Sequence, residues 1–468
     1  MGYFALERSQ ANPCDPLSGA AVLKSRLGTV QFDAVTKYQL PTPGRYPNAL
    51  TTAPDGSVWF GEQSVPGIAH LYQNGSLVEY AWPGVQSSAT GAGACEFKTS
   101  IWGVAVWNGL VWGTDADGNR IIGLNPSTNT FQTLTIPVSD TFPYSLAVRP
   151  DNSLWFTMLS TPPRLGRVDT QGQIQLYQIT ADTKDIPADI VFQNSTIGYF
   201  VGIEPEAGNG SVYEFNPSLV GQTIDAVKVG GTLSLYSPTS ISANGGSLWV
   251  TQHGAASLAS YDLQTHAWRL FPTSTENYTS TTLPYFVRAN GSSVWFNEHY
   301  GNKIGLIDAQ SSTLTEYSVS NPPVTNGSQL GNALTISVGS DRTWFAEVTA
   351  NYVGFISAEY QPSYRIDLVG SNTVSLKRGT SHTIGVVLSG QSGGPIRMKF
   401  SDSERFTSRP LSIAIGANVS YLASLGGKEI ISVTLAVDNK IAPGDYTVVI
   451  TATDGLVSRS IFVYLSVT

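Results

Sequence analysis

The sequence predicts an all-β chain: a seven-bladed β-propeller followed by a β-sandwich of immunoglobulin type. Two observations carry this. An aromatic pair on an apolar strand returns every 43–53 residues through most of the chain. The final hundred residues then change to short apolar runs between turn clusters, without that repeat.

Seven copies of the repeat can be read. The best are Asp55-Gly56-Ser57-Val58-Trp59-Phe60, Asp151-Asn152-Ser153-Leu154-Trp155-Phe156 and Gly291-Ser292-Ser293-Val294-Trp295-Phe296. The remaining copies centre on Trp112, Tyr199, Trp249 and Trp344. A period of 40–50 residues with several strands per unit is the signature of propeller blades. In each unit an x-Pro turn opens a first strand, and an Asp-Gly type turn makes a hairpin into the Trp-Phe strand. A third strand carries Ile-Gly, as in Lys303-Ile304-Gly305, where glycine fits close approach of the neighbouring blade. A fourth ends in phrases such as Leu314-Thr315-Glu316-Tyr317. The seventh unit lacks a good fourth strand, whereas Val35-Thr36-Lys37-Tyr38-Gln39-Leu40 reads as one with no unit of its own. That segment is expected to complete the last blade and seal the ring, removing two exposed strand edges.

The expected organisation is an N-terminal arm over 1–34, the propeller over 35–366 and the sandwich over 367–468. Thr383–Leu388, Ile430–Leu435 and Tyr446–Thr451 read as sandwich strands, and Pro443-Gly444-Asp445-Tyr446 resembles the tyrosine corner of such domains.

Composition excludes some functions. Charged residues make up only 13% of the 468, the net charge is −8, and no run of like charge occurs. Nucleic-acid binding needs clustered Lys and Arg, so nucleic acid is not an expected partner. No stretch of 18 apolar residues is long enough to span a membrane. The first residues, Met1-Gly2-Tyr3-Phe4-Ala5-Leu6-Glu7-Arg8, lack the features of a signal peptide. The polar but uncharged surface still favours an extracellular or cell-surface place, with an export segment outside these residues, over a cytosolic one. Seven glycosylation sequons, at Asn74, Asn194, Asn209, Asn277, Asn290, Asn326 and Asn418, point the same way. So do Cys14 and Cys95, which lie in loop-like segments outside any metal-spacing motif. They are read either as a disulfide tying the arm to the propeller or as two unpaired thiols.

The unit x-Pro-x-x-apolar, Trp-Phe-x-Glu, Asn-x-Ile-Gly resembles the virginiamycin B lyase (streptogramin lyase) family of seven-bladed propellers. The resemblance covers about residues 35–360 and is closest at Trp295-Phe296-Asn297-Glu298 with Asn302-Lys303-Ile304-Gly305. It implies opening of a cyclic ester by elimination, with Mg²⁺, a glutamate, and histidines placed directly after the turn proline. Here those seven positions read Asn48, Trp102, Tyr144, Ala188, Thr239, Tyr285 and Asn332. None is histidine, and a general base must be basic near neutral pH.

Propeller geometry places a second set of loop residues beside the first: Glu62, Asp115, Met158, Glu204, Gln252, Glu298 and Glu347. Asn48, Trp102, Tyr144, Tyr285 and Asn332, with His253, form the expected ligand-binding set, because aromatic faces and amides suit a glycan or another polyhydroxylated ligand. Glu62, Asp115, Glu204 and Glu347 could hold Ca²⁺ or Mg²⁺ through oxygen, although no cofactor is required by the sequence. Glu298 and His299 are the residues expected to carry chemistry if there is any. His70, His266 and His382 read as solvated bystanders. Three functions remain in competition. One is a non-catalytic propeller that binds a glycan or surface protein, with the sandwich as spacer or assembly module. The second is a metal-dependent lyase or lactonase. The third is a subunit of a surface layer or filament, self-assembling through the sandwich.

Overall fold

The computed structural model describes residues 22–468 apart from 42–43, 64–66, 83–87, 91–93, 97–99, 181–183, 220, 232, 275–281, 322–331, 393, 403–420 and 423. Among the described residues the regular structure is β, apart from one short 3₁₀ turn at His253–Ala255.

Seven largely antiparallel sheets follow one another along the chain. Their first strands are Pro47–Thr52, Ile101–Trp107, Pro143–Val148, Ile186–Phe192, Pro238–Asn244, Pro284–Asn290 and Ala333–Val338. Each first strand contacts the first strand of the next sheet, and the seventh contacts the first. The first strands therefore form a ring.

The Trp-Phe pair explains why the sheets stack. Successive side chains on a strand point to opposite faces. Trp112, Trp155, Trp249, Trp295 and Trp344 pack toward the following sheet, against Phe156, Phe200, Phe296, Phe345 and Phe60 in turn. One aromatic pair thus serves two junctions, and each sheet–sheet junction has its own apolar cluster. The third-strand glycine serves a different purpose from the one expected. A Cβ on Gly166, Gly305 or Gly354 would strike the ring of Phe156, Phe296 or Phe345 on the adjacent strand of the same sheet. The glycine makes room for its own sheet's phenylalanine.

Val35–Gln39 pairs with the third strand of sheet seven, Tyr352–Ser357, as expected for the closing segment. The residues before it also form strands. Thr29–Phe32 lies outside Val35–Gln39, and Val22–Arg26 pairs with Ser76–Ala81 of sheet one. Residues 22–39 therefore straddle the seam between the first and last sheets.

All seven first strands are bulged near their beginning, directly after the position occupied by the turn proline. A bulge leaves ladder groups unpaired. In four sheets a side chain from the second strand takes them up. Thr157 Oγ1 accepts from the Ser145 N–H at 3.0 Å and donates to the Ala188 carbonyl of the next sheet at 3.0 Å. Thr114, Thr251 and Asn297 make the equivalent double contacts. Just ahead of the bulges, Tyr46, Phe142, Ser237, Leu283 and Asn332 hold φ of 46–56°. Such left-handed conformations cost of order 1–2 kcal/mol for residues other than glycine, so strain is concentrated at one end of the ring.

From Tyr364 onward two further sheets face each other. One is Tyr364–Val369, Ser381–Gln391 and Gly426–Ala436, and the other is built around Gly444–Thr453 and Val457–Val467. They enclose a single apolar cluster. Tyr446 donates its hydroxyl to the Ala442 carbonyl at 2.6 Å. This body is not held by a linker alone. The first half of Val457–Val467 pairs with the outer strand of sheet six, from Thr313↔Ile461 to Tyr317↔Val457. Phe462 packs edge-on to Phe271 of sheet five at 5.3 Å.

Candidate functional site

The bulged, strained end of the ring carries most of the residues singled out from the sequence. Tyr144 starts the first strand of sheet three and Tyr285 that of sheet six, and their hydroxyls meet at 2.5 Å. Trp102, half-buried, lies against Tyr144 with centroids 5.4 Å apart. On the other side the Tyr285 ring stands edge-on to His253 at 5.3 Å and to His299 at 5.6 Å. His253 Nε2 and His299 Nε2 are 2.8 Å apart, and His299 Nδ1 is 3.1 Å from Asn332 Oδ1. Trp102, Tyr144, Tyr285, His253, His299 and Asn332 thus form one contiguous group drawn from sheets two, three, five, six and seven.

The hydrogen bonds fix the protonation of the histidines. An amide oxygen only accepts, so His299 donates from Nδ1 and its Nε2 is bare. His253 must then donate from Nε2. Burial pushes the pKa of His253 down to about 4 and that of His299 down to about 3, so both are neutral at physiological pH. Burial raises Tyr144 well above the usual phenol range, reinforced by Tyr285, and burial raises Tyr285 as well.

Asn332 reaches this group by a different route from the one expected. In sheet one Pro47 pairs with Glu62, and in sheet seven Ala333 pairs with Glu347. Ala333 therefore stands where the proline would be, and the residue after it is Leu334. Asn48 is fully buried and donates to the Ile101 carbonyl at 3.3 Å, linking sheets one and two. Ala188 is buried, and Thr239 donates to the Tyr285 carbonyl at 2.6 Å.

The carboxylates do not gather at the mouth. Glu62, Asp115 and Glu347 are each engaged within their own sheet or the strands around it. Glu347 pairs with Lys37 at 2.7 Å, and Asp115 with Arg120 at 2.6 Å. Glu62 lies beside Glu79, with Arg45 Nε 3.8 Å from Glu62 and 3.0 Å from Glu79. Glu204 is two residues beyond Gly202, the true counterpart of Glu62, because Gly202 pairs with Pro187. Among the described residues no three His, Cys, Asp or Glu side chains are placed to share a metal ion. Met158 is buried, and Gln252 donates to Ser257 at 2.9 Å.

Glu298 and His299 diverge. His299 turns toward His253, while Glu298 is fully buried beside Glu316. Burial and then Glu316 raise Glu298 well above the carboxyl range, with Lys303 opposing. Glu316 is held by the Ser274 N–H at 3.0 Å and the Ser274 hydroxyl. Glu79, Glu316 and Lys37 occupy equivalent positions, paired with Ala69, Gly305 and Gly354. One site in the sheet thus holds an acid–acid pair twice and an ion pair once.

Asp189 was not expected from the sequence. It is buried one residue past Ala188 and accepts from the Ser145 and Ser240 hydroxyls at 2.6 and 2.7 Å and from Arg288 at 3.2 Å. It joins the first strands of sheets three to six. The signal was a charged residue at a position that is Ala49, Gly103, Ser145, Ser240, Phe286 or Thr335 elsewhere.

His70 is not solvated. It is buried, stacks on Trp59 at 3.8 Å and lies 2.6 Å from the Ser57 hydroxyl. His266 and His382 are exposed. Asn74, Asn194 and Asn290 are exposed and Asn209 is half-buried. Asn277, Asn326, Asn418, Cys14 and the side chain of Cys95 lie outside the described residues. No helix of the described residues is long and apolar enough to cross a membrane.

The fold and the ring of first strands define an all-β protein of propeller type. Among solved structures the chain is similar to virginiamycin B lyase from Staphylococcus aureus, at 19% identity and a TM-score of 0.55, over 69% of this chain and 98% of that one. A catalytically inactive histidine-to-alanine variant of that lyase, with quinupristin, gives a TM-score of 0.56 at 19% identity and the same coverage. A streptogramin B lyase structure gives 0.54 at 21% identity, over 69% and 97% of the two chains. No protein-family model and no curated protein matches the chain.

Proposed function

We propose that this chain is a seven-bladed propeller with an immunoglobulin-like sandwich fused to its sixth blade, and that it acts outside the cell as a binding protein without catalysis. Its ligand is a polyhydroxylated molecule of glycan type. The observation that carries the reading is the contiguous group from Trp102 through Tyr144 and Tyr285 to His253, His299 and Asn332. The half-buried faces of Trp102 and Tyr285, beside neutral donors and acceptors, offer stacking and directed hydrogen bonds, as sugar recognition needs. None of these groups is a ready base. Both histidines bond to each other, both tyrosines are pushed above their usual range, and Glu298 is buried away from them. The exposed sequons at Asn74, Asn194 and Asn290 support the extracellular assignment.

A glycan array probed with the wild type and with Trp102→Ala tests the reading. The expected outcome is a defined set of retained glycans that is lost in the variant. Retention of the same glycans by Trp102→Ala would remove the mouth from consideration.

The likeness in fold to the lyases favours one alternative, a metal-dependent lyase or lactonase acting at the same mouth. Turnover of a cyclic depsipeptide that requires a divalent ion and disappears in Glu298→Ala would establish it over the binding reading.

A further inference from the structure

A cleft of about 630 Å³ opens between sheets three and four, at the end of the ring opposite the bulges. One wall comes from the first hairpin and outer strands of sheet three, the other from the chain leaving sheet four at Pro217 and Ser218. The charged residues lining it are Arg149, Asp151 and Arg167. Arg149 is committed to the fold. It donates to Asp151 Oδ2 at 2.6 Å and to the Ser195 carbonyl and Ser218 hydroxyl of sheet four. Asp151 Oδ1 in turn accepts from the Ser153 N–H and hydroxyl.

Arg167 is different. Asp151 stands 4.0 Å from it, beyond hydrogen-bond distance, and among the described residues its guanidinium donates no hydrogen bond. Its Nε is buried without a partner, while its terminal nitrogens are not buried and the side chain is 27% exposed at the cleft. One net positive charge thus faces the cleft, in a chain whose net charge is −8. The repeat does not call for that cation. The third-strand residue paired with the motif aromatic is His70, Gly123, Glu214, Ser260, Leu306 or Phe355 in the other sheets. Directly paired residues share a face of the sheet. Arg167 and Gln175 therefore stand on the same face as Trp155, which packs toward sheet four. The Tyr177 hydroxyl donates to Gln175 Oε1 at 2.6 Å, which leaves the amide N–H groups of Gln175 as donors. Gln222, also exposed, lines the cleft as well.

We infer that this cleft binds the carboxylate of an acidic sugar of the uronic-acid class. The terminal edge of a guanidinium matches a carboxylate through two parallel N–H···O bonds. A single net positive charge suits a monoanion, whereas Asp151 repels a second negative charge such as that of a phosphate dianion. Gln175 and Gln222 present neutral partners to ring hydroxyls, and the volume falls in the range of small-molecule sites. The cleft is separate from the mouth at Trp102 and Tyr285, so its occupancy does not depend on what that mouth binds.

The test is calorimetry and saturation-transfer difference NMR on the full chain with sodium glucuronate, glucose and glucose 6-sulfate, at low ionic strength so that the ion pair is not screened. Glucuronate should saturate a single site. A charge-assisted hydrogen bond corresponds to at least about 10-fold in affinity, so glucose should bind at least that much more weakly. Arg167→Gln should lose glucuronate affinity to the same degree. Because the Arg167 guanidinium donates no hydrogen bond within the described chain, Arg167→Gln should keep the wild-type melting temperature. In the wild type the ¹⁵Nε resonance of Arg167 should shift on saturation, a readout that does not depend on a variant folding. No saturable glucuronate binding, equal binding of glucose, or binding unchanged in Arg167→Gln would overturn the inference. Glucose 6-sulfate bound as tightly as glucuronate would overturn the assignment to carboxylates.

Discussion

The hydroxyls of Tyr144 and Tyr285 meet at 2.5 Å, joining the first strands of sheets three and six. The contact ties two sheets that are not neighbours in the ring, at the end where the candidate ligand site lies. A hydrogen bond of this kind contributes about 1 kcal/mol net. Tyr144→Phe and Tyr285→Phe are each expected to lower stability by about that amount. Because both remove the same bond, the double variant should lose less than the sum, as chemical denaturation of the four proteins would reveal. Additive losses would mean that the hydroxyls act separately.

The bulge clasps give a second expectation. Thr157 satisfies one N–H and one carbonyl that the bulges leave without ladder partners. Thr157→Val keeps the shape and removes both bonds, leaving buried polar groups unpaired at about 1–3 kcal/mol. Thr157→Ser retains the hydroxyl and should lose less. Urea midpoints of the two variants decide the matter, and a larger loss in Thr157→Ser than in Thr157→Val would assign the effect to the methyl group instead.

Glu298 makes stability depend on pH in a definite direction. Its folded pKa is raised, by burial first and Glu316 second, so the fold prefers the protonated acid. That stabilisation is complete below the unfolded value near 4.5 and is lost as pH rises toward the folded value. Glu62 beside Glu79 behaves alike. Between pH 4 and pH 8 the wild type should therefore lose more stability than Glu298→Gln, whose amide has no proton to lose. Denaturation at the two pH values measures this, and a steeper loss in the glutamine variant would contradict it.

The pairing of Thr313–Ser318 with Val457–Val467 predicts that the sandwich and sheet six behave as one unit. A chain ending at residue 363 would expose the outer edge of sheet six and the apolar surface that Val449 and Phe462 cover. Exposed strand edges recruit other strands. Size-exclusion chromatography of this truncation should show association, whereas a stable monomer would show that the sandwich is dispensable.

Much of the ring was legible in the sequence because its signals are local. The Trp-Phe pairs mark each second strand, the turn proline marks most first strands, and the orphan segment at Val35 named its partner. What escaped depends on register and on contacts between distant segments. Ala333 replaces the proline in sheet seven, so counting from the motif put Asn332 at the wrong position, although its side chain still reaches His299. The acidic partners Glu79 and Glu316 lie on fourth strands, one hairpin and a sheet's width from the motif residues they face. Nothing local in Val457–Val467 indicated that it would extend sheet six. His70 was misjudged because its burial depends on stacking against Trp59 across the strand pair.

The mouth lined by Trp102, Tyr285, His253 and Asn332 is proposed to bind its ligand without converting it. The most direct measurement is calorimetric titration of a captured glycan into the wild type and into Trp102→Ala, followed by mass spectrometry of the recovered glycan. Saturable binding that the substitution abolishes, with the glycan recovered unchanged, is the predicted result. Chemical conversion of the ligand, or binding unaffected by Trp102→Ala, would contradict it.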